Sequence, residues 1–393
     1  MAKSSQPRWA TIIPLVGGSA IGCSLATGNK PEYHLSYKAF EANEKYLTEY
    51  WKSVPRISLD EGGQIPTGEI DFVNSVCPCA GLSQLNTSKS IETRESRNYW
   101  MYESARKVLG EVRPRVFWGE NAPALFTNSG SYVREKLIEI GKEYGYTFSL
   151  YKTNCKMHGI PQRRVRTFYF FWRDTNPAIL DYYDRDCPTF VEHLSQIPEE
   201  ATLQDEFNFD GRVSDYCLSY GYILKHLRMD HETFVKNHDH GSCHSVFTYL
   251  VDNELINGCI EWIESTAGEC KELNRLKRIR DKVASGGRFM DGSPYYARST
   301  TLAMVGRTLT GCTHPVEERG LSFRELMHMM GLPHDFQMAN KRDLNVLAQN
   351  VPTCTARDMA LEVVAYLKGD RKIYDEKILM QDNIKQKIVQ LPK

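Results

Sequence analysis

Four clusters in this chain hold residue types able to do chemistry. The sequence Val76-Cys77-Pro78-Cys79-Ala80-Gly81-Leu82-Ser83 follows the β-rich run Asp71 to Val76. A thiol in a Pro- and Gly-containing turn at the mouth of a parallel sheet is open to polarisation, as a nucleophile requires, whereas a structural thiol is buried and inert. With no second pair near this C-x-C, zinc is not expected. Phe117-Trp118-Gly119-Glu120-Asn121-Ala122-Pro123 is an apolar strand ending in a polar pair. A carboxyl placed there among aromatic residues has its pKa raised and can hold a proton near neutrality. Gly159-Ile160-Pro161-Gln162-Arg163-Arg164-Val165-Arg166 runs into a second aromatic strand. On extended backbone Arg164 and Arg166 share one face, and two guanidinium groups there suit a phosphate or a polar base edge. Lastly, Gly17-Gly18-Ser19-Ala20-Ile21-Gly22 follows the first apolar run. Its glycines let backbone approach a ligand in front of a helix N-terminus. Glu41 follows the second strand about twenty residues on, where a carboxylate takes the two hydroxyls of a ribose. Each cluster also has a plainer reading: an ordinary turn, a solvated acid or a charged strand cap.

These side chains need strand ends to position them, and the sequence supplies the strands. From Thr11 to Trp172, short apolar runs alternate with helix-like stretches, the rhythm of a doubly wound α/β sheet. Strands are expected at Ala10 to Val16, Tyr33 to Tyr37, Asp71 to Val76, Arg115 to Trp118, Phe148 to Tyr151 and Thr167 to Trp172. Helices are expected at Ala42 to Trp51, Trp100 to Leu109 and Ser131 to Tyr144. After Asp174, Pro177, Pro188 and Pro198 punctuate an acidic stretch reaching about Asp210, and the alternation stops. Residues 211–300 carry tyrosines, histidines and the basic run Lys271, Arg275, Lys277, Arg278, Arg280, Lys282. Part of that run falls three or four apart, as on one helix face that grips phosphates or simply faces water. A helix starts at Ser322-Phe323, and Thr355 to Leu367 reads as a last amphipathic helix before a polar tail. The expected units are therefore 1–175, 176–320, 321–370 and 371–393.

Composition narrows the class. Lys+Arg and Asp+Glu are 49 each among 393 residues, with 41% hydrophobic and 25% charged, values of an ordinary folded protein rather than a disordered or fibrous one. Formal neutrality means that any nucleic-acid binding must rest on local patches. Eleven cysteines, an odd number with no C-x-x-C pair, read as free thiols in a reducing compartment. The uncharged run Trp9 to Gly28 superficially suggests a secretory signal. Pro14, Gly17, Gly18 and Gly22 interrupt it as a strand, turn and helix would. No other uncharged stretch approaches the roughly 20 residues that cross a bilayer, so a cytoplasmic location without membrane contact is expected.

In this order the clusters resemble the DNA (cytosine-5) methyltransferases. Pro78-Cys79 followed by Ser83, Glu120-Asn121, and Gln162-Arg163-Arg164-Val165-Arg166 match three of that family's signatures. Arg324-Glu325-Leu326 through Met330-Gly331-Leu332-Pro333 and the closing Val351-Pro352 resemble two more of its elements. The resemblance covers about 1–175 and 300–370. It implies a Rossmann-like S-adenosylmethionine-dependent methyltransferase domain with a mixed, mostly parallel sheet, plus a smaller target-recognition domain at 176–320. It further implies Cys79 as nucleophile, Glu120 as proton donor, and Arg164 and Arg166 as groups that position and polarise the base. S-adenosyl-L-methionine would be held by Val16, Gly17, Gly18, Gly22, Glu41, Pro78, Trp100, Gln349, Asn350 and Val351. The implied partner is double-stranded DNA, met by Ser83, Asn121, Gln162, Arg278 and Arg280, with the enzyme acting as a monomer in restriction-modification or viral self-protection. A tRNA cytosine-5 methyltransferase, or a non-catalytic DNA-binding protein on the same frame, would share the motifs. The chain departs from the family at Pro14-Leu15-Val16, where an Asp precedes Leu-Phe in its relatives. It departs again at Ala348-Gln349-Asn350-Val351-Pro352, where either Gln349 replaces the usual Asn or Asn350 is that Asn displaced by one. The cluster His238-Asp239-His240-Gly241-Ser242-Cys243-His244 is read as a polar recognition loop, since the family's reaction uses no metal.

Overall fold

A computed structural model describes residues 6–78, 82, 98–162, 164–198, 214, 217–237, 246–287, 289, 314, 316–319, 321–338 and 343–384. In chain order the principal elements are β1 (Trp9–Ile12), α1 (Gly18–Thr27), β2 (His34–Ser36), α2 (Glu41–Tyr50), β3 (Arg56–Ser58), β4 (Phe72–Ser75), α3 (Tyr99–Lys107), β5 (Val116–Asn121), α4 (Ser131–Glu143), β6 (Tyr146–Asn154) and β7 (Val165–Arg173). There follow α5 (Phe190–Leu194), α6 (Leu218–Gly221), α7 (His231–Asn237), α8 (Val246–Asp252), α9 (Ile256–Thr266), α10 (Lys271–Ala284), α11 (Phe323–Met329), α12 (Leu344–Gln349), α13 (Thr353–Leu367) and β8 (Ile378–Asp382).

The strands form one sheet in the order β3-β2-β1-β4-β5-β7-β6-β8. Only β7 runs against its neighbours. Its run Phe168-Tyr169-Phe170-Phe171-Trp172 is buried throughout, as a central strand covered on both faces must be. The strand order reverses between β1 and β4, and at such a switch point the loops leaving two neighbouring strands diverge and open a crevice. The glycine turn after β1 and the Cys77-Pro78 turn after β4 therefore flank the same crevice.

The expected strand Ala10 to Val16 stops at Ile12. Ile13 and Leu15 adopt positive φ, 50° and 52°, a region costly for side chains that carry Cβ and most of all for a β-branched one. Full burial and bonds from Val76 N to Ile13 O (3.3 Å) and Gly17 N to Pro14 O (3.0 Å) hold the turn. Gly17 is required by its own φ of 106° at the N-cap of α1. Gly18 and Gly22 serve packing instead. A Cβ at Gly18 would lie 2.3 Å from Val351 O, and one at Gly22 would lie 2.6 Å from Thr353 O and 2.7 Å from Ala356 Cβ. Two missing side chains thus let α1 lie directly on α13.

Two expected boundaries are corrected. The segment 371–393 is not simply a polar tail, because Ile378–Asp382 pairs in parallel with β6 at the sheet edge. Its sequence hides this, since Ile378 and Met380 are not buried and the strand is tied down by polar side-chain contacts. Lys152 Nζ meets Asp382 at 2.8 Å, Gln381 bonds the backbone of Leu180 in both directions, and Asn383 reaches the Tyr151 hydroxyl. Likewise the second unit does not begin at 176. Ala178, Leu180, Phe190 and Leu194 pack into the main core, while a separate helical core opens at Cys217 around Tyr220, Ile223, Phe247, Leu250, Ile260, Ile263, Leu273 and Leu276. Between them a strap crosses α13. Arg185 pairs with the fully buried Asp358 (2.7 and 2.8 Å), and Tyr183 and Arg371 bond the fully buried Glu362. Short β3 was also not expected; its three half-buried residues after Pro55 carry too little pattern.

The close α1–α13 contact gives a direct test. Gly22→Ala forces a methyl onto backbone and should destabilise the chain by about 1–3 kcal/mol, read from urea unfolding. Unchanged stability would contradict this packing.

Candidate active site

Glu120 is the penultimate residue of β5, and Arg166 the second of β7, which runs antiparallel beside it. The Glu120 side chain is almost fully buried, with Oε1 2.6 Å from Arg166 Nε. Burial pushes the Glu120 carboxyl above the usual carboxylate range, and Arg166 and Arg164 pull it partly back. The result is an enclosed acid with a raised pKa beside a fixed cation, suited to passing a proton to a polar ring atom. Arg164, also buried, donates from Nη2 to Asn350 O at 2.9 Å. Gly18 N donates to Asn350 Oδ1 at 2.9 Å. Of the two residues offered for that role by the sequence, Asn350 is turned inward and fully buried while Gln349 is partly exposed.

On the thiol side, Cys77 is buried, its Sγ 3.1 Å from Ser75 Oγ, 3.5 Å from Trp100 O and 3.6 Å from Ser104 Oγ. Burial raises its pKa, so this thiol is neutral and packed. Cys79, Ser83 and Arg163 lie outside the described residues. Pro78 is partly exposed at the end of the described turn.

The opposite flank of the crevice presents an aromatic wall. The Trp100 ring lies 4.7 Å from Tyr37 and 5.0 Å from Phe40, centroid to centroid. Glu41 is exposed in the first turn of α2, just beyond the end of β2. Glu44, one turn on, is fully buried and taken up by Ser36 Oγ (2.6 Å), Arg56 Nε (3.0 Å) and His34 Nε2 (3.1 Å). Asp60 stands past β3 and accepts from Lys38 N at 2.9 Å, a bond that lowers its pKa. Sequence reasoning passed over Tyr37 and Phe40; their place at the end of β2 was the available signal. Val16 and Val351 are both buried beside the glycine turn.

Two residues expected to meet DNA, Asn121 and Gln162, are buried against backbone groups of this chain. Asn121 is fully buried, its Oδ1 accepting from Ala122 N at 2.8 Å. Gln162 is fully buried and donates to Met329 O at 2.9 Å, completing the carbonyl end of α11. Both amides satisfy backbone groups that burial would otherwise leave unpaired. Far along the chain, α10 places Lys271, Arg275, Arg278 and Lys282 at one-face spacing. Arg280 meets Asp281 at 2.8 Å and Lys277 meets Glu264 at 2.6 Å, so Arg278 and Lys282 are the more available charges.

With this geometry in view, comparison with known proteins is decisive. Residues 24–354 match the C-5 cytosine-specific DNA methylase family. The chain belongs to that family. It is 23% identical over 342 residues to the type II methyltransferase M.DdeI of Desulfomicrobium norvegicum, covering 82% of this chain and 79% of that protein. It is 24% identical over 209 residues to the type II methyltransferase M.BanI of Aneurinibacillus aneurinilyticus, a match spanning 47% of each, so the chain aligns with about half the length of that relative. Among solved structures it superposes on a DNA modification methyltransferase encoded within an Escherichia coli prophage with TM-score 0.56 and 14% identity, covering 92% of this chain and 99% of that one. That likeness is one of fold: a mixed, mostly parallel methyltransferase sheet.

The charge arrangement at Glu120 is testable alone. In a 13C carboxyl titration Glu120 should ionise above the ordinary glutamate range, and Arg166→Gln should move it higher, because a cation favouring the anion is removed. A fall or no movement would contradict the pairing.

Proposed function

We propose that this chain transfers a methyl group from S-adenosyl-L-methionine to carbon 5 of cytosine in double-stranded DNA. The observation that carries the reading is the buried Glu120–Arg166 pair on β5 and β7, with β5 beside β4, whose turn leads to Cys79. The other thiol of that turn, Cys77, is enclosed by Ser75 and Ser104, which supports reading Cys79 as the nucleophile.

Carbon 5 of cytosine is a weak nucleophile within the aromatic ring. Thiolate addition from Cys79 to carbon 6, with a proton passed from Glu120 to ring nitrogen 3, converts the base to an enamine whose carbon 5 carries the electron pair. Arg166 holds the Glu120 carboxyl, and Arg164, fixed on Asn350, adds positive potential on the same side. After alkylation, loss of the carbon 5 proton re-forms the double bond and expels the thiolate. A stacked base cannot reach such a site, so the target cytosine leaves the duplex.

The crevice fits the implied cofactor. The left-handed Gly17 turn, the Tyr37, Phe40 and Trp100 rings, and the carboxylates Glu41 and Asp60 suit a nucleoside bearing hydroxyls, an exocyclic amine and a cationic tail. When bound, that cofactor supplies an electrophilic methyl group. Residues 217–284, with their own core and cationic α10 face, are read as part of the target-recognition unit, and Arg278 and Lys282 as its phosphate contacts.

Tritium from the labelled cofactor should appear at carbon 5 of DNA cytosine, and Glu120→Gln should slow transfer by about 10²-fold or more while leaving DNA binding intact. Label confined to tRNA, or none from folded protein, would reject the reading. Replacing Arg278 and Lys282 together by Gln should weaken DNA binding and lower the slope of log K against log salt by about 1–2. An unchanged slope would return α10 to a solvated face.

A further inference from the structure

A polar cluster lies under the site where the surrounding core is apolar. Ser75 closes β4, Gly119 sits opposite it on β5, and Tyr169 sits opposite Gly119 on β7, so the three form one row across the sheet. Tyr169 is fully buried, and its ring crosses directly over Gly119. A Cβ at Gly119 would stand 2.3 Å from the Tyr169 hydroxyl and 2.5 Å from Cζ, so only glycine lets the phenol through. Beyond Gly119 the hydroxyl comes within reach of the Ser75 hydroxyl and the Cys77 thiol, without a well-aligned bond to either. The Cys77 thiol in turn meets Ser75 and, on α3, Ser104. Ser104 is fully buried as well.

This row joins the three pieces of the site. β4 leads into the turn that holds Cys79 in sequence, β5 carries Glu120 one residue before its end, and β7 begins between Arg164 and Arg166. A side chain that spans all three fixes their relative offset at the point where each leaves the sheet. Burying a phenol, two hydroxyls and a thiol is unfavourable compared with an apolar core unless their mutual contacts specify one arrangement. Reaction rates are steep in such placement, with about 1 Å of misplacement able to cost about 10²-fold.

We propose that Tyr169 is a positioning residue, which with Ser75, Cys77 and Ser104 sets the exit of β4 against Glu120 and Arg166. The inference rests on the functional reading above, and its test separates the two. The full-length protein is mixed with duplex DNA containing 5-fluorocytosine in its recognition sequence and saturating S-adenosylmethionine, and the single-turnover rate of covalent trapping is measured. Affinities for S-adenosylhomocysteine and for DNA are measured in parallel. For Tyr169→Phe, which keeps the ring and removes the hydroxyl, trapping should slow at least about tenfold, while both affinities stay within about twofold. Cys77→Ser, which keeps a hydrogen-bonding group at the centre of the cluster, should trap faster than Cys77→Val. If Tyr169→Phe does not fold, Ser104→Ala carries the same expectation from the far end of the cluster. A trapping rate equal to that of the unsubstituted chain would overturn the proposal, as would a loss that tracks stability and both affinities together, the mark of a purely structural role. If the unsubstituted chain itself fails to trap, the functional reading falls first and the proposal with it.

Discussion

Asn350 is the residue on which the site closes. Its side-chain oxygen takes the N–H of Gly18, 332 residues earlier, and its backbone carbonyl takes the Arg164 guanidinium. Three parts of the chain, the glycine turn, the arginine strand and the entry to α13, are thereby fixed at one buried point. The helix N-terminus of α1 offers unpaired N–H groups, so a carbonyl-bearing side chain there satisfies a donor that burial would otherwise leave without water. The close approach of α1 to α13 through Gly18 and Gly22 makes this bond possible. The same approach places the left-handed Gly17 at the mouth of the crevice.

Electrostatics divide between the site and the scaffold. At the site, Glu120 sits where desolvation outweighs its cations, and its charged form is disfavoured. In the scaffold, burial pushes Asp358 up but His158 and Arg185 outweigh it, so its pKa is lowered. A lowered carboxyl contributes stability above its unfolded pKa and loses it as pH falls through the folded one. The pairing of the strap to α13 is thus complete near neutrality and weakens in acid. Glu120 has the opposite sign: its raised pKa favours the protonated site at low pH, and the favourable contribution fades as pH rises through the folded value. The scaffold's ion pairs are thus complete near neutrality, while the site acid they surround has its pKa raised by burial.

Much of this was legible in the sequence because it rests on local pattern. The strands around Asp71 to Val76, Arg115 to Trp118 and Thr167 to Trp172 are apolar runs bounded by turn residues, and each of the first two ends in a chemically distinct cluster. Glu120 was marked by its place at the end of an apolar strand and Arg166 by the face it shares with Arg164, while their joint role came from the family resemblance. What pattern could not show was direction. Asn121 and Gln162 are polar residues beside the site, yet both turn inward, Asn121 to the amide of its neighbour Ala122 and Gln162 to the carbonyl of Met329 on a distant helix. Glu44 carries no mark that distinguishes it from Glu41, one turn away, though only Glu44 is buried against Arg56. β8 was hidden because an edge strand held by Lys152, Gln381 and Asn383 has no apolar alternation to read. Tyr169 was hidden in an aromatic run, its hydroxyl meaningful only beside a glycine on the next strand.

The most direct measurement is to locate the covalent bond itself. The protein is trapped on 5-fluorocytosine DNA, both components are digested, and the modified peptide is sequenced by mass spectrometry. The modified base is expected on Cys79, within the peptide that contains Cys77 unmodified. A base on Cys77, whose thiol faces Ser75 and Ser104 in the structure, or a stable complex with no modified cysteine, would contradict the arrangement of the site.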